Sequence, residues 1–410
     1  MSHQAAELAA RASYGKLVAY LSAWSRDVAA AEDALGDAFL EALDTWPRTG
    51  VPAKPEAWLL TVARRRLIDN ARHAKVEETA AAALRMMLER AEAEASTNTV
   101  FPDRRLALLF VCAHPAIAEA ARTPLMLQTV LGLDAARIAQ AFLVAPATIG
   151  QRLVRVKAKI RDAGIHFEVP GAHELPARLD SVLEAIYAAY GSGWEDVAGA
   201  DPHRQSLAEE AIWLGRLVVR LLPDEPEGKG LLALMLHCEA RRRARRDARG
   251  AYVPLQRQDL TLWSRAMIDE AEAMLSTAAT AKRPGRFQLE AAIQSVHARR
   301  VITDHTDWEA IALLYEGLLH LAPTIGARVG HAAALGEARS PESGLSALGR
   351  IPSEDVADYQ PYWALRGHLL KRLGRTAEAR GAFERAVELS HDPAVRDFLR
   401  DSFDTASESA

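Results

Sequence analysis

Apolar residues recur at helical spacing along almost the whole chain, and runs that alternate apolar with polar residues, the pattern of a half-buried strand, are nearly absent. The fold class expected is therefore all-α. Ala, Leu, Arg and Glu dominate, all good helix formers, and 410 residues with 49% hydrophobic content suffice for two to four domains. The most specific segment runs from Gly132 to Ala163, GLDAARIAQAFLVAPATIGQRLVRVKAKIRDA. Asp134 is placed to cap a short helix through Phe142, Leu143 to Ala145 form a turn, and Pro146 stands where the first position of a second helix tolerates a missing N–H. On that second helix Ile149, Leu153, Val156 and Ile160 fall on one apolar stripe, and Thr148, Gln151, Arg152, Arg155 and Lys159 cluster beside it. This is the form of a helix-turn-helix whose second helix, with Arg152, Arg155, Lys157, Lys159 and Arg161 against Asp162 alone, suits a phosphate-lined major groove. In isolation an amphipathic surface helix with solvated charges would look the same.

The order of the other segments adds to this. From Leu8 to Leu43 the pattern is helical, and Asp27 to Asp44 is acidic, with Asp27, Glu32, Asp33, Asp37, Glu41 and Asp44 and no Lys or Arg between them. Asp33, Asp37 and Glu41 fall on one face at spacings of four. Trp46 to Pro55 carries three prolines and a glycine, which predicts a loop. Glu56 then opens a helix with Leu60, Ala63, Leu67 and Ala71 as its apolar stripe and Trp58, Thr61, Arg65, Asp69 and Arg72 opposite. Between Lys54 and Lys75, six Lys or Arg face only Glu56 and Asp69. Residues 76–101 read as a linker, a second helical unit occupies 102–166, and two glycines and two prolines between Gly164 and Pro176 mark a boundary. Residues 175–403 read as successive amphipathic helices, broken at Gly191, Pro223, Gly250, Pro284, Pro323 and Pro352. Tyr362 to Leu389 places Gly367, Leu370, Gly374, Ala379, Phe383 and Ala386 near the positions of a tetratricopeptide (TPR) repeat, and Trp308 to Leu321 resembles half of another.

Other classes find little support. Two cysteines cannot build a disulfide framework, no apolar run of about 18 residues occurs, and no export leader is recognisable, so a cytoplasmic protein that does not span a membrane is expected. Cys112 lies two residues from His114, and His237, Cys238 and Glu239 are adjacent, but neither group has zinc-ligand spacing. With no nucleophile and base pattern and no glycine-rich phosphate loop, the expectation is no enzyme, no metal and no cofactor.

An acidic helix, a basic aromatic helix, a linker and a helix-turn-helix, in that order, resemble an RNA polymerase sigma factor of the extracytoplasmic-function (ECF) type. AAEDALGDAFLEAL (Ala30 to Leu43) is similar to the sigma segment that docks on the polymerase clamp, and PEAWLLTVARRRLIDNAR (Pro55 to Arg72) to the helix that melts and recognises the -10 element. FVCAHPAI (Phe110 to Ile117), the stretch Gln140 to Pro170 and LLPDEPEGKGLLALMLHCEARRRAR (Leu221 to Arg245) resemble the ECF subgroup with a long C-terminal TPR-like extension. The resemblance implies a region 2-like domain over residues 8–75, a region 4-like domain over 102–166 and an extension over 175–403. It implies as partners the core RNA polymerase, at its clamp and flap, and promoter DNA. Asp33, Asp37 and Glu41 would dock on polymerase. Arg48, Thr49, Lys54, Trp58, Arg64, Arg65 and Arg72 would serve the -10 element, and Thr148, Gln151, Arg152, Arg155 and Lys159 the -35 element. The extension would pack on the sigma domains and modulate them. The alternative is a helix-turn-helix regulator that senses a ligand or peptide, for which residues 8–75 have no evident use.

Overall fold

The computed structural model describes residues 2–74, 103–142, 144–162, 168–194 and 202–404. The described residues are nearly all helical, with a single isolated bridge, Arg246 to Tyr252, in place of any sheet. The chain forms two compact units that divide between Leu221 and Leu222, apart from a few residues near 200.

The first unit begins with α1 (Ser2–Ser25), which ends where Arg26 takes a left-handed φ of 57°. Asp27 then accepts the Ala30 N–H and opens α2 (Val28–Thr49). Such a cap stabilises a helix by about 1 kcal/mol. The helical pattern from Leu8 to Leu43 is thus divided between two helices, and the first residue of the acidic run is the cap of the second. A second correction concerns Trp46 to Thr49, expected in a loop. They form the last turn of α2 with Pro47 inside it, because Trp46 is 1% exposed and anchors that turn in the core. Gly50, at φ 88°, ends the helix. After a short loop, α3 (Pro55–Ala74) starts one residue earlier than expected and buries Leu59, Ala63 and Leu67. Leu60 is only half-buried, so the apolar stripe is rotated from the one read in the sequence. The expected linker, 76–101, lies outside the described residues.

Asp103 caps α4 (Arg104–Cys112), which is followed by α5 (Glu119–Thr129), α6 (Ala135–Ala141) and α7 (Pro146–Asp162). Asp134 caps α6 by accepting the Arg137 N–H, and Ile149, Leu153, Val156 and Ile160 on α7 are all buried. Leu143, in the turn between them, lies outside the described residues. Next come α8 (Leu175–Trp194) and α9 (Pro202–Leu221), which pack on each other. Gly191 is inside α8 and breaks nothing. Leu175, Leu179, Val182 and Ile186 are buried as α8 packs on α4, α5 and α6, so the boundary read at 164–176 falls within one compact unit.

The second unit contains α10 (Pro226–Ala240), α11 (Arg265–Thr280), α12 (Arg286–Ala298), the single turn α13 (Arg300–Thr303), α14 (Trp308–Leu321), α15 (Ile325–Ala338), α16 (Pro341–Leu348), the single turn α17 (Ser353–Val356), α18 (Gln360–Arg372), α19 (Thr376–Leu389) and α20 (Pro393–Asp404). Between Arg242 and Leu262 the chain makes 3-10 turns and the isolated bridge, where a helical series was expected. Its hydrophobic clusters follow one another along the chain, and one helix serves each neighbouring pair. α12 supplies Ala298 to one cluster and Ile293 to the next; α15 supplies Leu335 and then Val329; α18 supplies Leu369 and then Leu370. The last helix returns to the 3-10 segment: Arg246 pairs with Asp392, and Tyr252 meets Phe398 edge to face at 5.3 Å.

Two histidines in this unit, the buried His237 and the half-buried His297, are held without charge. Burial, assisted by the charge of Arg241, lowers His237 and His297 to about 4. The contact of His237 Nε2 with Glu272, at 3.4 Å, is therefore that of a neutral imidazole rather than an ion pair. In the unfolded chain both would titrate near 6.5, so between pH 6.5 and 4 the unfolded state binds the extra protons and stability falls as pH falls. The limiting slope is about 1.4 kcal/mol per pH unit for each histidine. Thermal unfolding from pH 7.5 to 4.5 is expected to be flatter for His237→Asn/His297→Asn than for wild type; equal slopes would show that neither histidine is held neutral.

Candidate nucleic-acid and protein interfaces

The acidic face of α2 reaches solvent. Asp33 and Asp37 are exposed, and Leu40, on the same side, is 66% exposed. Glu41 is half-buried and accepts from Arg66 of α3 at 3.0 Å. Ion pairs this exposed contribute about 0–1 kcal/mol. The strip is therefore open to a partner that offers cations around an apolar centre.

The residues assigned to the -10 element divide into two sets. Arg48 and Thr49 occupy the end of α2 and engage their own helix: Arg48 pairs with Asp44 at 2.5 Å, and the Thr49 hydroxyl donates to the Thr45 carbonyl at 3.1 Å. Lys54 and Arg65 are exposed. Trp58 is half-buried, with its ring edge-on to Trp46 at 5.5 Å, which leaves only part of its surface for stacking. Arg64 donates to the Tyr20 hydroxyl and lies over the rings of Tyr20 and Trp24, at 4.8 and 5.7 Å. Arg72 belongs to α3, but its side chain lies outside the described residues.

On α7 the face read from the sequence is present. Gln151, Arg155 and Lys159 are exposed, and Thr148 and Arg152 are half-buried beside the buried stripe. Lys157 is turned elsewhere. Its Nζ lies 2.9 Å from Oε2 of Glu32, a carboxylate of α2 whose side chain is 4% exposed. The other oxygen, Oε1, accepts from Thr129 of α5 at 3.0 Å and from Tyr14 of α1 at 3.5 Å. Burial and the Glu32 charge push the Tyr14 hydroxyl well above its ordinary range; the same two causes, burial again the larger, act on the Cys112 thiol.

Two further polar contacts tie α8 and α9 to α4. Arg105 pairs with Glu210 and lies over Trp213 at 4.5 Å. Arg178, 4% exposed, donates to the Phe110 carbonyl at 3.1 Å and to Glu174 at 2.7 Å. The sequence shows Glu32 only as one member of the acidic run and gives Arg178 no role, although both are charges set within apolar stripes, Val28, Ala31 and Leu35 for one and Leu175, Leu179 and Val182 for the other. That misplacement was the available signal. Arg178→Met would remove the donor that Arg178 supplies to the buried Phe110 carbonyl and to Glu174, and a loss of about 2 kcal/mol is expected in denaturant unfolding. A change within 0.5 kcal/mol, the range of about ±0.5 typical of surface substitutions, would mean the contact does not hold α8 in place.

Among the described residues no group of three or more His, Cys, Asp or Glu is arranged to hold a metal ion, and no helix is long and apolar enough to cross a membrane. Comparison with known proteins gives two family matches, sigma-70 region 2 over residues 10–76 and a family of unknown function (DUF6596) over residues 178–279. The first match supports a sigma factor involved in transcription initiation, a class of protein that acts with core RNA polymerase on promoter DNA. A protein of Rhizobium meliloti (strain 1021), described only as uncharacterized, is 41% identical over 384 residues, which cover 92% of this chain and 90% of that protein. No solved structure matches.

Proposed function

We propose, for a chain that belongs to the family of this Rhizobium meliloti protein and carries a sigma-70 region 2, the function of an ECF-type sigma factor with a fused helical regulatory extension. The observation that carries the reading is the coincidence of the region 2 match with an exposed acidic strip on α2 and exposed cations on α3.

In this reading Asp33, Asp37 and Glu41 dock on the polymerase clamp, with Leu40 as the apolar centre of the strip. Opening DNA without hydrolysis requires tighter binding to separated strands than to duplex, through cations on the backbone and aromatics under the bases. Lys54, Arg65 and Arg72, with Arg48 and Thr49 at the end of α2, serve the -10 element. Trp58 and Arg64 support that surface from beneath. α6 and α7 form a helix-turn-helix in which Thr148, Gln151, Arg152, Arg155 and Lys159 engage the -35 element, mostly through phosphates, while the same domain meets the flap. The helices from α10 onward are a TPR-like array that modulates polymerase binding, and the protein acts in the cytoplasm without catalysis or a cofactor of its own.

Run-off transcription with bacterial core polymerase and a library of promoter fragments tests this. Specific transcripts are expected only with the protein present and at least about tenfold weaker with Arg152→Ala/Arg155→Ala. The slope of log affinity against log salt for the duplex should fall by about 1.8 if both arginines contact phosphates. Duplex binding without any transcript would favour the ligand-sensing regulator instead. For the extension, removal of residues 222–410 is expected to change transcript yield; unchanged yield and promoter choice would end its modulatory role.

A further inference from the structure

Outside one stretch, the second unit pairs most of its arginines with carboxylates. Arg286 meets Glu290 at 2.8 Å, Arg372 meets Glu337 at 2.9 Å and Arg375 meets Glu378 at 2.7 Å. The segment that joins α10 to α11 departs from this habit. From Arg241 to Arg265 it carries eight arginines and no lysine against Asp247 and Asp259 alone. Arg242 pairs with Glu239, Arg246 with Asp392 and Arg265 with Asp269. Arg243, Arg249 and Arg257 are exposed, and among the described residues their side chains have no hydrogen-bond or ion-pair partner. The same holds for Arg299, between α12 and α13.

Three of these four border one apolar cluster. Ala244 and Ala298 are buried in it, and Leu255 packs against it. Arg243 stands beside Ala244, Arg299 beside Ala298, and Arg257 two residues past Leu255. Arg300 donates to the carbonyls of Leu255 and Gln256, at 2.9 and 3.0 Å, which brings Arg299 alongside Arg257. Arg249 extends from the turn that joins Arg246 to its bridge partner Tyr252, where Gly250 takes a φ of 81°. The two aspartates are spent on their own turns. Asp247 accepts the N–H groups of Arg249 and Ala251, at 2.8 and 2.9 Å, and Asp259 accepts the N–H and hydroxyl of Thr261, at 2.9 and 2.7 Å. Arg245, half-buried in the same segment, is lowered to about 10 by burial first and then by the charges of Arg241 and Arg242, so like charges already press on one another here.

We infer that Arg243, Arg249, Arg257 and Arg299 form a second DNA-binding surface, one that grips the backbone of duplex DNA without reading its sequence. Its use at a promoter rests on the sigma reading; the binding itself does not. Duplex DNA carries about one charge per 1.7 Å of axis, and each cation seated on a phosphate releases condensed counterions. On so dense a lattice, cations spread over several turns can each find a phosphate. Guanidinium suits the task better than ammonium, because its planar fork meets phosphate oxygens in pairs. Such contacts hold and orient DNA but carry no sequence information. A second grip raises the apparent affinity of the first through effective concentration, with no further base contact. The rival occupant is an acidic protein face. Protein interfaces set a polar rim around an apolar core, and the exposed Ile302 and Leu262 make too little of one.

The test uses the full chain with Arg152→Ala/Arg155→Ala, so that α7 contributes least, and a fluorescent duplex of arbitrary sequence followed by anisotropy across a potassium chloride series. That protein is expected to keep measurable duplex binding. Adding Arg243→Ser/Arg249→Ser/Arg257→Ser/Arg299→Ser should weaken it at least about tenfold at low salt and reduce the slope of log affinity against log salt by about 3.6, at ~0.9 per phosphate contact. Lysine at the same four positions should restore most of the affinity. Circular dichroism and thermal melting should match the parent in both variants, since all four side chains are exposed. A slope that falls by less than about 1, the worth of one phosphate contact, overturns the surface. So does a serine variant that binds DNA as before but loses affinity for core polymerase, which would make the patch a protein contact. If wild type directs no transcript while the slope still falls, the sigma reading has failed and the DNA surface stands without a promoter role.

Discussion

A carboxylate withdrawn from water has to find its counter-charge and donors nearby, and four helices of the first unit meet this need at Glu32. Tyr14 comes from α1, Glu32 from α2, Thr129 from α5 and Lys157 from α7. Their convergence sets how α7 sits, which in turn decides which of its basic residues face solvent. The apolar packing around it, with Leu21, Leu35, Leu106 and Phe110 fully buried, supplies the adhesion. The ionic centre supplies the register, since a slip of one turn would strand the carboxylate.

Much of the first unit was legible in the sequence because its signals repeat. The stripe on α7 recurs through four turns, and Asp134 and Pro146 bracket α6 and α7 with the chemistry that helix starts require. What escaped depended on single residues or on partners distant in the chain. The break between α1 and α2 rests on the left-handed Arg26, a conformation no pattern announces. Trp46 kept a proline-bearing turn helical through tertiary burial, which local rules cannot weigh. In the site, composition ranked Lys157 with Arg155 and Lys159 as one basic set. Only the position of Glu32, 125 residues earlier, separates a cation committed to the interior from those free for a phosphate.

The extension is legible in outline and less so in its joints. Its proline breaks fall between helices, but its first two helices belong to the first unit, tied there by Arg105 with Glu210 and by Arg178 with the Phe110 carbonyl. The match to the family of unknown function, over residues 178–279, accordingly begins on α8, crosses the division at Leu221 and ends on α11. That sequence module covers a junction rather than a domain. Whatever state the second unit adopts, its covalent neighbour is a helix pair that already grips the segment bearing α4 to α6.

The second unit hands its clusters from helix to helix, α12, α15 and α18 each serving two, and its last helix returns to the residues that follow its first through Arg246 with Asp392 and Tyr252 with Phe398. An open stack of helix pairs can gain or lose a pair at its end with little effect on the rest. A stack whose end meets its beginning has no such liberty, because an added pair would carry α20 past its seat and a lost one would leave it short. In this unit a change in the number of helix pairs would have to preserve the Arg246–Asp392 and Tyr252–Phe398 contacts or give them up.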